Sequence, residues 1–297
     1  MIKDIYDYPL YRPPSEAYSL ILQVTLGCSY NRCTFCDMYK GKRFLIKDIE
    51  QIKWEIDYLR EKTPLVDRVF LADGDALIIE SNKLIDILKY INKKFPERKR
   101  ISMYATPKSL LLKTEEELQI IRELGVQLLY IGLESGDDEI LKKINKGVNS
   151  EEFILGAKKA KEAGFKISVT VISGIGGNKE DTRRNHAINT AKVVSEVIPD
   201  YLGILSLTIQ KGTQLYEDLK NGIFEECSGE EIAEELKLLL ENIKIPPTSS
   251  IVFRSNHISN YLNLQGTLPF DKARLIEEIG SILEGKYFIR RYNNGNI

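Results

Sequence analysis

The chain has 297 residues, 43% hydrophobic and 29% charged, with a formal net charge of −1 at pH 7. Such a composition belongs to a globular protein with a sizeable core, and it offers no global attraction to nucleic acid or anionic membranes. Four cysteines, three of them within nine residues, do not make the framework of a secreted disulfide scaffold.

The N-terminal stretch MIKDIYDYPLYRPPSEAY lacks an apolar signal-peptide core, and no later run reaches membrane-span length, so a cytoplasmic location is expected. YSLILQVTL (18–26) reads as a strand, followed by the cysteine loop and a helix over 46–60. In that helix Ile49, Ile52, Ile56 and Leu59 recur at helical spacing. RVFLAD (68–73) predicts a second strand and SNKLIDILKYINKKF a second helix, N-capped by Ser81. RISMYA (100–105) is the third strand; Thr114 and Glu117 form a capping box for the next helix, which Gly125 ends. VQLLYIGL (126–133), FKISVTVIS (165–173) and DYLGILSLT (200–208) follow as strands, the last after a long helix over 178–198. Beyond them 213–220, 229–243 and 271–284 read as helices, and the polar, turn-rich 246–269 as irregular.

Six β-then-α units predict a parallel sheet with right-handed crossovers. Several strands are apolar at nearly every position, as sheets covered on both faces require. Six units are too few for a closed eight-stranded barrel. The expected fold class is therefore α/β, a partial, TIM-like (β/α)6 barrel over 1–208 that includes the N-terminal lead-in. A helical and irregular C-terminal extension over 209–297 would close it. In such a barrel the loops after the strands share one edge, where ligands bind. Those loops are the cysteine loop, DGDA (73–76), YATP (104–107), ESGDD (134–138), GIGGN (174–178) and TIQKG (208–212).

Cys28, Cys33 and Cys36 are spaced C-x4-C-x2-C, a ligand set of three. Structural zinc needs a fourth Cys or His, and Cys227, His186 and His257 are all remote in sequence. A 4Fe–4S cluster on three cysteines, with one iron left open, is the better fit. Cys227, in a polar turn, reads as an incidental thiol, and His186, inside a long helix, as structural. Asp73 and Asp75 suit turn positions as well as ligand contacts. Lys146 suits a helix dipole as well as an anion. The segment FRSNHISNY, with Arg254, Asn256 and His257, fits a solvated loop and a substrate-contacting cap equally.

Taken in order, these motifs resemble the radical S-adenosylmethionine (radical SAM) superfamily over roughly 18–208. The likeness rests on the cysteine loop with Phe35 before its last cysteine, LADGDA after the second strand, and VISGIGGNKEDT after the fifth. It rests also on YIGLESGDDEILKKINKG (130–147), which is similar to the signature of the branch with coproporphyrinogen dehydrogenases and methylthiotransferases. The resemblance implies a 4Fe–4S cluster on Cys28, Cys33 and Cys36 and S-adenosylmethionine on the open iron. Reductive cleavage would give a 5′-deoxyadenosyl radical that abstracts hydrogen from substrate, with ferredoxin or flavodoxin as reductant. By the same likeness Phe35 packs beside the adenine, and Asp73, Gly74 and Asp75 receive the methionine ammonium. Glu134 and Ser135 address the ribose or methionine, Lys146 the methionine carboxylate, and Tyr104 and Thr170 make polar contacts. Gly174 and Gly176 let the backbone approach the adenine.

Substrate-contact candidates are Tyr104, Arg254, Asn256 and His257. Two features depart from the family pattern: one extra residue in the first cysteine gap, and Asp-Gly-Asp where Gly-Gly-Glu is common. No second cysteine cluster and no basic patch are visible, so a small-molecule substrate is expected rather than a nucleic acid or peptide. The alternatives are a zinc- or iron–sulfur-stabilised binding protein that does not cleave S-adenosylmethionine, and radical SAM modification of a peptide or RNA.

Overall fold

A computed structural model describes residues 5–285; the outer ends of the two expected segments, 1–4 and 286–297, lie outside it. A 3₁₀ turn at Pro14–Glu16 precedes β1 (Leu20–Gln23), β2 (Thr25–Leu26), β3 (Leu45–Ile46) and α1 (Ile49–Lys62). Next come β4 (Arg68–Ala72), α2 (Ser81–Lys94), β5 (Arg100–Tyr104), α3 (Pro107–Leu112), α4 (Glu115–Glu123) and β6 (Val126–Glu134). Then follow α5 (Asp138–Lys143), α6 (Ser150–Glu162), β7 (Lys166–Ser173), α7 (Glu180–Val197) and β8 (Tyr201–Ser206). The chain continues with α8 (Gln214–Lys220), α9 (Gly229–Asn242), β9 (Ile251–Ser255), β10 (Leu264–Leu268) and α10 (Lys272–Leu283).

Local chemistry sets many of these boundaries. The Asp48 carboxylate caps α1 by accepting the Glu50 and Gln51 N–H groups, and the helix buries Ile52, Ile56 and Leu59. The capping box of Thr114 and Glu117 starts α4, and Gly125 follows that helix at φ +102. Ser81 differs from expectation. It is the first helical residue of α2, whose N-cap is Glu80 without a side-chain bond. The Ser81 hydroxyl instead accepts from Lys113 Nζ at 3.2 Å.

The chain divides into two compact units. Unit 1 comprises 1–31, 36–131 and 155–167. In it β1, β4, β5 and β6 pair in parallel, with Leu20 opposite Val69, Val69 opposite Ile101 and Met103 opposite Leu129. The expected first strand is two short ones, because β2 leaves the main sheet to pair antiparallel with β3. Phe70 is fully buried, its ring edge-on to Tyr104 at 5.2 Å and to Tyr130 at 6.2 Å.

Unit 2 comprises 32–35, 132–154 and 168–297. Here β7, β8 and β9 pair in parallel and β10 runs antiparallel to β9. Along β7, Val169, Val171 and Ser173 are buried while Ser168, Thr170 and Ile172 are half-buried, so the strand presents two different faces. The structure corrects the reading of 246–269 as irregular, since it holds β9 and β10. Buried Asn260 fastens that hairpin: its amide donates to Ile204 O at 2.7 Å and accepts from Ser206 N at 2.8 Å. The architecture is α/β with a mainly parallel sheet, the class expected, with two more strands than the six βα units supply.

Candidate active site

The cysteine loop leaves β2 at Gly27, which takes φ +73. In unit 1 its anchor is Asp73, fully buried, whose Oδ2 accepts from Gly27 N at 2.9 Å and Lys42 Nζ at 3.1 Å. Gln23 Nε2 donates to both Asp73 oxygens at 3.1 Å. Burial raises the Asp73 carboxyl above its usual range, against the opposing pull of Gly27 N–H and Lys42. Lys42 Nζ also donates to Asp7 O at 2.5 Å, and Gln23 exchanges two hydrogen bonds with the Asp7 backbone at 2.8 and 2.9 Å. Asp73 thus ties the residue before Cys28 to the core and to the N-terminal segment.

Asp75 is built differently. Its Oδ2 accepts from Ser29 Oγ at 2.6 Å and Thr106 Oγ1 at 3.0 Å, while its buried Oδ1 has no partner. Burial raises this carboxyl too. Between the two aspartates, Gly74 forms a cradle. A Cβ there would lie 2.9 Å from Tyr39 Cε2 and 3.1 Å from Cys28 Cβ, so the backbone approaches the loop as closely as only glycine permits.

Sequence reasoning missed Tyr39. It is 4% exposed, its hydroxyl has no hydrogen-bond partner, and its ring meets Tyr11 edge-on at 5.4 Å. Burial beside Asp73 pushes its phenol far above the ordinary range. An aromatic three residues past the last cysteine was the available signal. Asn31 adopts a left-handed φ of +48, and its amide donates to Tyr39 O at 2.8 Å. Tyr104, half-buried, stacks edge-on with Phe70 and lies 6.0 Å from the Tyr130 ring; burial raises its phenol.

Unit 2 holds the middle of the loop, residues 32–35. Thr34 N donates to Ile144 O at 2.9 Å, Leu215 N to Thr34 O at 3.0 Å, and Asn145 Nδ2 to Arg32 O at 3.1 Å. Phe35, partly buried, packs on an apolar cluster that includes Ile140, Ile144, Ile175 and Phe224. At the end of β6, Glu134 takes φ +64 and accepts from Lys146 Nζ at 2.7 Å. Ser135 is fully buried and hydrogen-bonds His186. Thr170 lies on the half-buried face of β7, in register with Gly203.

Gly174, at φ +80, and Gly176 are closely packed by neighbouring side chains. A Cβ on the first would meet Ile232 Cδ1 at 2.7 Å, and on the second Thr182 Cγ2 at 2.9 Å. Arg254, Asn256 and His257 are exposed. They bond locally: Arg254 to Phe253 O at 2.8 Å, Asn256 to Gln265 at 3.3 Å and His257 to Ser259 at 2.6 Å.

Three half-exposed cysteines, none in a disulfide, supply soft thiolate donors of the kind iron–sulfur clusters take. Among the described residues no three Cys, His, Asp or Glu side chains converge on one ion position. A cuboidal cluster takes each thiolate on a different iron and does not need that convergence. The unpartnered Asp75 oxygen and the Gly74 cradle beside Cys28 fit a cofactor with a cationic amino group.

Residues 22–187, more than half of the chain, match the family model of the Radical SAM superfamily. The chain belongs to the radical SAM superfamily. An uncharacterized methyltransferase of Pyrococcus horikoshii is 27% identical over 199 residues, 66% of this chain and 41% of that protein. The heme chaperone HemW of Bacillus subtilis is 22% identical over 218 residues, 71% of this chain and 56% of that protein. The chain thus spans about half the length of these curated relatives. The crystal structure of methylornithine synthase (PylB) is similar at TM-score 0.54 and 18% identity, covering 93% of this chain and 76% of that one. That likeness shows a shared fold. Membership supports the two expected cofactors, a 4Fe–4S cluster and S-adenosylmethionine. Among the described residues no helix is long and apolar enough to cross a membrane.

Proposed function

We propose that this radical SAM protein is an enzyme that removes a hydrogen atom from a small-molecule substrate. The observation that carries the reading is the cysteine loop after β1 and β2, tied down by Asp73 and cradled by Gly74, in a chain of this superfamily. Bound together, a 4Fe–4S cluster and S-adenosylmethionine supply one-electron reductive cleavage of a sulfonium and, through it, hydrogen abstraction. Cys28, Cys33 and Cys36 would hold the cluster. Asp75, with its unpartnered oxygen beside the Gly74 backbone, would accept the methionine ammonium, while Asp73 supports the cysteine loop. Phe35, Tyr104, Glu134, Ser135, Lys146, Thr170, Gly174 and Gly176 complete the cofactor contacts. Arg254, Asn256 and His257, with Tyr104, stand as substrate contacts. Ferredoxin or flavodoxin supplies the electron, in the reducing cytoplasm where thiolate ligands persist.

Likeness to a heme chaperone favours one second reading, a binding protein whose cluster does not cleave S-adenosylmethionine. Anaerobic reconstitution with iron and sulfide separates the two. The enzyme reading predicts a 4Fe–4S absorption band and, with S-adenosylmethionine and a strong reductant, release of 5′-deoxyadenosine. Stoichiometric zinc in place of iron, or a 4Fe–4S cluster that releases no 5′-deoxyadenosine, overturns it.

A further inference from the structure

Four buried polar side chains in unit 2 lie in one row, Ser135, His186, Glu235 and Ser173, between 0% and 4% exposed, with a hydrogen bond at each end and a 3.6 Å approach of His186 to Glu235 between them. Ser135 stands in the turn after β6, next to Glu134 at φ +64. Ser173 ends β7, and Gly174, at φ +80, stands in the turn after it. His186 projects from α7 and Glu235 from α9. His186 Nδ1 lies 2.8 Å from Ser135 Oγ, and Nε2 lies 3.6 Å from Glu235 Oε1. The same Oε1 accepts from Ser173 Oγ at 2.6 Å and from Gly174 N at 2.9 Å.

Ser135 Oγ also accepts the Asp137 N–H at 3.0 Å, so the row begins at the backbone of the turn after β6. Glu235 Oε2 is buried without a partner, so the carboxylate is held at a desolvation cost that an apolar residue would avoid. The two helices already pack on each other, and each buries apolar residues, among them Val193 and Val194 of α7 and Leu236 and Leu239 of α9. What the polar row adds is a fixed spacing between two strand-end turns.

We propose that Glu235 and His186 are positioning residues for the S-adenosylmethionine site, holding the turns that carry Glu134 and Gly174 at the spacing the cofactor needs. This rests on the functional reading above, and it gives the C-terminal segment a part in cofactor binding.

The test measures S-adenosylmethionine affinity by equilibrium dialysis on the full, anaerobically reconstituted chain, with iron content and Tm on the same samples. Glu235→Gln and His186→Asn should each raise the Kd about tenfold with the parent's iron content retained. The double variant should be little worse than either single one, because both interrupt one row. Ser173→Ala, which deletes a single hydroxyl, should shift the Kd in the same direction and keeps the test decisive if a larger change impairs folding. Glu55→Gln, at the buried Lys47 pair in unit 1, should lower Tm without moving the Kd. Kd values within twofold of the parent in Glu235→Gln, His186→Asn and Ser173→Ala overturn the proposal while leaving the functional reading intact. A parent chain that holds a cluster but binds no S-adenosylmethionine overturns both.

Discussion

Three cysteines in the loop 28–36 and the fourth at 227 occupy opposite kinds of environment. The loop thiols are half-exposed, and the strand-end turn beneath them is built from hydrogen bonds to Asp73 and the close approach of Gly74. Cys227 is 8% exposed, and a Cβ on Gly174 would lie 3.6 Å from its sulfur. Burial, helped by Glu235 and Glu231, pushes its thiol up to about 12. Residue type alone made Cys227 a candidate fourth ligand; environment separates a thiol packed as a small apolar group from thiols kept available as ligands.

The largest contrast follows from removing one cysteine of each kind. Cys33→Ala should abolish stable iron binding after reconstitution, whereas Cys227→Ala should keep the parent's iron content; equal retention in both would erase the distinction. Next in size is the support under the loop. Lys42→Met leaves the fully buried Asp73 carboxylate without its cation and should cost about 3–5 kcal/mol in urea unfolding of the cluster-free chain. A loss below about 1 kcal/mol would mean that the pair contributes nothing the neutral partners cannot supply.

A pH experiment sharpens the comparison further. A thiol raised from 9.0 to about 12 binds its proton more tightly in the folded state. The stability it contributes is therefore complete below pH 9.0 and lost as pH rises through about 12. At pH 8 Cys227 should resist iodoacetamide until the chain is unfolded, as read by mass spectrometry of the labelled peptides. The parent should also lose Tm relative to Cys227→Ala as pH climbs above 9.0; rapid labelling of the folded chain would contradict the buried placement. The smallest effect is expected at His257, exposed and bonded to Ser259. His257→Ala should change unfolding free energy by no more than about 0.5 kcal/mol and leave iron content unchanged.

Much of this was legible in the sequence for identifiable reasons. Apolar runs separated by amphipathic helices gave the βα order. A capping box is a local event and was read correctly at Thr114 and Glu117. The hairpin of β9 and β10 escaped because its strands, IVFRS and LQGTL, are short and flanked by polar, turn-forming residues, and its anchor, Asn260, bonds to β8 some fifty residues away. At the site, Asp73 and Asp75 look alike in Asp-Gly-Asp, yet one is saturated by Gly27, Lys42 and Gln23 while the other keeps an oxygen unpartnered. That difference arises from partners 31 to 50 positions distant, which no local pattern reports. His186 read as a structural helix residue, and the carboxylate that faces it lies on α9, across β8 and α8 in sequence.

The central claim is that the three-cysteine loop equips this radical SAM protein to cleave S-adenosylmethionine, and product analysis tests it most directly. The reconstituted chain, given S-adenosylmethionine and dithionite without oxygen, should release 5′-deoxyadenosine and methionine, and Cys33→Ala should release neither. A chain that retains its 4Fe–4S cluster yet forms no 5′-deoxyadenosine, or a Cys33→Ala variant as active as the parent, would contradict the account.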